Sequence, residues 1–188
     1  DKGLDRVHVL RFADGRLAPV EPPFVAAREG AGPRHVAFHP TLSLAYVVND
    51  LDSTVTTYRL DTDTGTLAPA EILPTLPSSF TGNSRAAGIA IDAEGLTVYA
   101  SNRGADSIAV FRIDPLSGHL TFAGCDPTQG RTPRSFTLAP DGRALFALNE
   151  DSDSIVALRV DAQTGRLSPQ GPTVPCGSPV CMVFGTTA

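Results

Sequence analysis

Tyr99-Ala100-Ser101-Asn102-Arg103-Gly104-Ala105-Asp106-Ser107-Ile108-Ala109-Val110-Phe111-Arg112-Ile113-Asp114 is the stretch whose reading decides the fold. Its first part closes a short run at Asn102. Its second part, from Ser107 to Ile113, alternates apolar and polar side chains in the manner of a strand. The same arrangement recurs twice. Asn49, Asn102 and Asn149 fall in register, as do Tyr58, Phe111 and Leu158, then Asp61, Asp114 and Asp161. Gly65, Gly118 and Gly165 match, followed by Leu67, Leu120 and Leu167. The aligned units are Gly32–Pro77, Asn83–Gly130 and Thr132–Gly177, with periods of 53 and then 47 residues. A period of roughly 40–50 residues made of short strands is the signature of propeller blades.

Working outward, each unit reads as four antiparallel strands. The first follows a proline, as in His35-Val36-Ala37-Phe38 and Ser135-Phe136-Thr137-Leu138. A tight turn comes next, Ala139-Pro140-Asp141-Gly142 in one copy, with proline and glycine where the turn geometry asks for them. The second strand is Leu44–Val48, Thr97–Ser101 or Ala144–Leu148, and it ends at the repeated Asn. After the alternating third strand, a loop such as Asp161-Ala162-Gln163-Thr164-Gly165 leads to an outer strand near Leu67, Leu120 and Leu167. That strand is rich in proline, which suits an edge.

The fold class is therefore all-β, a propeller of four-stranded antiparallel blades with about four blades present. Residues 1–188 form one domain, divided into 1–31 (a partial blade), 32–82, 83–131, 132–177 and 178–188 (a closing strand). Asp5–Leu17 matches a third strand, its loop and the start of a fourth. Ser178–Phe184 matches a first strand. Together these leave a second strand unaccounted for, so the expected whole is a larger ring. The competing expectation is a compact four-blade ring, the small end of the propeller range.

Composition narrows the function. With 15 Lys+Arg against 20 Asp+Glu, the net charge of −5 argues against nucleic acid or an anionic membrane as partner. No apolar run approaches the roughly 18 residues of a membrane span. Cys125, Cys176 and Cys181 are an odd count without metal-ligand spacing. Cys176 and Cys181 would be able to pair in a secreted protein; free thiols in a cytoplasmic one are the simpler expectation. No cofactor and no metal are expected. Sheet edges left open would favour self-association.

Strand order places chemistry. The residues that open strand one and close strand two share one end of each blade, beside the central channel. Arg34 and His35 open one first strand and Arg134 another. Asp50, Arg103 and Glu150 each follow a repeated Asn. These six ionisable groups are expected to converge. The register of His35 carries Gly88 and Ser135 in the other units, and that of Arg34 carries Ala87. Residues that break a repeat are better functional candidates than those that keep it. Asn49, Asn102 and Asn149 are read as bonding their own turns, with Asn49 and Asn102 also placed among the substrate-binding candidates. Ser53, Ser107 and Ser154 are read as turn caps. His8 and His119, assigned to outer strands, and His39, in a hairpin turn, are expected to be solvated.

Gly32-Pro33-Arg34-His35-Val36-Ala37-Phe38-His39-Pro40, then Ala45-Tyr46-Val47-Val48-Asn49-Asp50, resembles the seven-bladed propeller lactonases. That family includes bacterial 6-phosphogluconolactonases and carboxymuconate lactonizing enzymes. Tyr99-Ala100-Ser101-Asn102-Arg103-Gly104 and Thr132-Pro133-Arg134-Ser135-Phe136 continue the resemblance, which runs essentially end to end. It implies a seven-bladed ring of roughly twice this length. It also implies a substrate cleft on one face, lined by arginines, a histidine and an acidic residue. Arg34, His35 and Arg103 match those segments. The acidic position is usually Glu and here is Asp50, one methylene shorter. A further His-containing segment of the family would lie upstream of Asp1.

The leading expectation is a hydrolase of a sugar lactone, above all 6-phosphogluconolactone, working without metal. Asp50 or His35 would be the general base, with Arg34 or Arg103 facing the oxyanion. Arg134, with Glu150 nearby, would hold a phosphate or carboxylate of a small anionic metabolite. The alternatives are cycloisomerisation of a carboxymuconate on the same arginines and a non-catalytic propeller that binds partners.

Overall fold

The computed structural model describes residues 1–185 as a row of four β-sheets. The first sheet holds β1 (Arg6–Ala13) and β2 (Arg16–Ala26). The second runs in order through β3 (Pro33–Phe38), β4 (Leu44–Asn49), β5 (Thr54–Leu60) and β6 (Leu67–Pro74). The third holds β7 (Arg85–Ile91), β8 (Thr97–Arg103), β9 (Ser107–Ile113) and β10 (Leu120–Pro127). The fourth holds β11 (Pro133–Leu138), β12 (Ala144–Asn149), β13 (Ser154–Val160) and β14 (Leu167–Pro169), with β15 (Val174–Pro175) also on β13. Every pairing is antiparallel, and each sheet is a blade built from neighbouring strands in chain order.

The middle strands are buried on both faces, which explains their apolar runs. On β4, Tyr46 and Val48 face the third sheet, where they meet Val98, Ala100 and Phe111. Ala45 and Val47 face the first sheet, against Val7 and Val25. On β8, Tyr99 turns to the fourth sheet, with Phe136, Leu145 and Leu158. Each large side chain so buried contributes about 1.5–3 kcal/mol, so the core is a series of inter-blade layers.

Two bonds repeat this packing. The Tyr46 hydroxyl donates to the Gly118 carbonyl at 2.9 Å, and the Tyr99 hydroxyl donates to the Gly165 carbonyl at 3.0 Å. In each case the loop between strands three and four of one blade lies on strand two of the blade before it. Burial, with a smaller push from Glu71, raises the Tyr46 hydroxyl to about 12. Gly118 and Gly165 have φ of +74° and +72°. The left-handed φ is what requires glycine at Gly118, and a Cβ there would also crowd the end of the Leu44 side chain.

Several expectations change. Ser178–Phe184 forms no strand among the described residues, because no second strand lies beside it to supply a ladder. Its first residue still occupies the start of a blade: the Ser178 N–H donates to Asp153, as the Thr132 N–H does to Asp106 and the Gly32 N–H to Asp5. The last part of the 178–188 segment, residues 186–188, lies outside the described residues. Ser53 is one position off the register of Ser107 and Ser154. It shares a left-handed φ with Asp106 and Asp153, whereas Thr54, Ser107 and Ser154 each open the third strand opposite the repeated Asn. His39 is buried rather than solvated. Its Nδ1 accepts the N–H groups of Thr41 and Leu42, and its Nε2 lies 3.1 Å from the Gly95 carbonyl oxygen. His8 sits on β1, a third-strand equivalent; it and His119 are exposed. The three cysteines are free thiols.

Candidate functional site

Asp50 lies just past β4, and its backbone N–H donates to the Gly32 carbonyl at 2.8 Å. Glu150 is held in the equivalent way, on the Thr132 carbonyl at 2.9 Å. Arg103 ends β8, opposite Arg85 at the start of β7. Asp50, Arg103 and Glu150 thus occupy one structural position in three successive blades, with charges of opposite sign.

The structure brings four of the six expected groups into contact. Asp50 is 1% exposed and carries three cations. Its Oδ2 accepts from Arg103 at 2.7 Å and lies 3.6 Å from Arg34 Nε. Its Oδ1 lies 3.1 Å from Lys2 Nζ. A carboxylate removed from water is tolerated when cations of this kind surround it. Arg34 also donates to the Ala87 carbonyl at 2.6 Å and approaches His35 Nδ1 at 3.2 Å. Arginine has no acceptor, so Nδ1 is the accepting nitrogen of His35, and the neutral ring carries its proton on Nε2. Burial, then the Arg34 charge, lowers the pKa of His35. Burial and the like charge of Arg103 lower that of Arg34, while Asp50 pulls the other way. Arg134 and Glu150 form a looser pair at 3.8 Å, close enough that their charges act on Arg34.

Asn49 and Asn102 do not reach this cleft. Both are 0% exposed. Asn49 donates to the hydroxyls of Thr54 and Thr56 on the adjacent strand. Asn102 donates to the Thr75 carbonyl of the preceding blade and accepts from the Thr75 hydroxyl at 2.6 Å. Asn149 likewise donates to the Thr128 carbonyl. Asn102 and Asn149 are therefore ties between blades, and the sequence reading of Asn49 and Asn102 as substrate-facing is corrected. Lys2 was missed by sequence reasoning. It lies outside the three repeats, so no register flagged it.

The family described as "Lactonase, 7-bladed beta-propeller" matches residues 1–184. The chain belongs to that family. It is 36% identical over 140 residues to a 6-phosphogluconolactonase of Bacillus subtilis, an alignment covering 74% of this chain and 40% of that protein. A 6-phosphogluconolactonase of Pectobacterium carotovorum is 36% identical over 135 residues, 71% of this chain and 40% of its own length. The periplasmic gluconolactonase of Pseudomonas aeruginosa superposes with a TM-score of 0.89 at 32% identity, over 95% of this chain and 50% of that one. The chain thus spans about 40% of the curated relatives it matches. Its four sheets superpose on half of a larger propeller, which overturns the compact four-blade ring.

Proposed function

We propose that the protein hydrolyses a sugar lactone, with arginines anchoring the substrate and no metal in the chemical step. The observation that carries this reading is the cation cluster of Arg34, Arg103 and Lys2 around a buried Asp50, at a position where the repeat diverges. A structural repeat has no need for such asymmetry, whereas a small anionic metabolite does. The names of the relatives support the lactone class.

The geometry favours His35 over Asp50 as base. The Asp50 carboxylate is sealed from solvent and engaged by three cations, so it has no open oxygen to meet a substrate water. The His35 ring keeps an accessible edge, and partial burial with the Arg34 charge favours its neutral form. In the proposed reaction, a water oxygen attacks the lactone carbonyl carbon and its proton passes to His35 Nδ1, the nitrogen now covered by Arg34. Arg34 is thereby freed for the oxyanion. The tetrahedral intermediate collapses with cleavage of the ring C–O bond, and the proton returns to the ring oxygen as a hydroxyl. Asp50 orients Arg34 and Arg103 throughout.

The test is acid release from 6-phosphogluconolactone and from unphosphorylated gluconolactone, above spontaneous hydrolysis, by this chain and by a version extended upstream to the length of its relatives. Turnover of either lactone supports the reading. No turnover by either protein, with loss of muconate absorbance on mixing instead, would replace it with the cycloisomerase.

A further inference from the structure

A second feature of the same face shares Arg103 with the site above and adds a residue that has no role there. Arg85 and Arg103 stand directly opposite each other at the open end of the β7–β8 ladder. Directly opposed like charges on a sheet destabilise it. Both line one open cleft of about 600 Å³, rimmed by Asn83, Ser84 and Thr132. Arg103 is partly neutralised, through one terminal nitrogen, by Asp50. Its Nε is buried and has no acceptor. Arg85 is exposed and makes no side-chain hydrogen bond or ion pair among the described residues. No acidic side chain lines this cleft. Two guanidiniums facing one polar cleft without an anion are a site whose ligand is negatively charged.

We propose that Arg85 and Arg103 form the seat of a phosphomonoester, and that Arg85 is the residue that selects a phosphorylated lactone over its unphosphorylated counterpart. This rests on the lactonase reading for its substrate, though the anion seat itself does not. A phosphomonoester carries about −1.5 to −2 charges at pH 7, which matches two guanidiniums better than a single carboxylate does. Arg103 is shared: Nη2 grips Asp50, while Nη1, which makes no hydrogen bond among the described residues, is left for the phosphate. The selection matters because the relatives include both 6-phosphogluconolactonases and a gluconolactonase.

The test measures calorimetric binding of 6-phosphogluconate, gluconate and inorganic phosphate to this chain and to its Arg85→Ala and Arg85→Lys variants. Steady-state hydrolysis of the two lactones is measured in parallel on the extended protein. Arg85 is an exposed side chain, so neither variant should disturb folding. The chain should prefer 6-phosphogluconate over gluconate by about tenfold or more, as expected for one charge-assisted bidentate contact. Arg85→Ala should abolish the preference, and Arg85→Lys should restore part of it. In hydrolysis, Arg85→Ala should raise KM for the phosphorylated lactone and leave the unphosphorylated one unchanged. Equal affinities in the unaltered chain, a preference that survives Arg85→Ala, or no binding of 6-phosphogluconate or inorganic phosphate would each overturn the proposal. Arg85-dependent binding without turnover of either lactone would keep the phosphate seat and remove the hydrolase. Turnover without the preference would do the reverse.

Discussion

The two ends of each blade obey different rules. At one end, the loop between strands three and four is the same three times over. Asp61, Asp114 and Asp161 each accept N–H groups from the residues two and three positions on. Gly65, Gly118 and Gly165 close the turn onto the carbonyl of the same Asp. The hydroxyls of Ser117 and Thr164, then the backbone N–H groups, lower the Asp114 and Asp161 carboxyls from their ordinary value, and the N–H groups of Thr64 and Asp63 do so for Asp61. At the other end, the backbone bonds recur but the ionisable side chains beside the Asn do not. Asp50, Arg103 and Glu150 follow it, and Arg34, Ala87 and Arg134 stand one residue past the position paired with it. What every blade needs in order to fold is repeated; what one ligand needs appears once.

The sharpest way to break this contrast is to remove one charge from each end. Asp50→Ala strips a buried carboxylate from three cations. It should cost about 3–5 kcal/mol, read as a fall in the denaturation midpoint. Asp161→Ala, at a fully exposed loop, should shift the midpoint far less. Equal effects would mean that the two ends are alike. Next in size is Arg103→Ala, which should lower kcat/KM of the extended protein on the order of 100-fold by removing a charge-assisted anchor for the substrate. Unchanged kinetics would take Arg103 out of the site. Smaller again is Tyr99→Phe, which removes one buried inter-blade hydrogen bond and should cost about 1 kcal/mol without altering turnover.

The smallest effect lies in pH. His35 titrates below its ordinary value in the fold, so between that lowered value and about 6.5 the unfolded chain binds the extra proton. Its share of stability is therefore full above about pH 6.5 and declines as the pH falls toward the folded pKa. Arg34→Gln removes the second cause of the shift and should move the His35 titration upward in an NMR experiment. An unmoved titration would show that burial alone sets it.

Much of this was legible in the sequence because the repeat carries it. The starts of the outer strands at Leu67, Leu120 and Leu167 coincide with β6, β10 and β14. The meeting of Arg34, Asp50 and Arg103 followed from strand order alone. Most of what escaped had no repeat to betray it. Lys2 precedes the first strand. Arg85 falls in the register of Gly32 and Thr132, a break in the repeat that goes unnoticed because it precedes the residues read as opening the first strand. The burial of His39 depends on Gly95 in the next blade, 56 residues on, and nothing local distinguishes it from a solvated turn histidine. Asn102 was misjudged for the same reason: its partner, Thr75, belongs to the blade before.

One consequence follows from Asp50, Arg103 and Glu150 sharing a single position. Viewed down the channel, that position reads minus, plus, minus from blade to blade. A near-symmetric ring would accept a small ligand in several orientations related by rotation. Here a ligand turned through one blade meets the reverse charge at each contact. Its anionic end would face a carboxylate, and its neutral ring an unmatched arginine. On the proposed reading, three point differences within a duplicated scaffold would fix a single angular pose, and with it the face that a bound lactone presents to water.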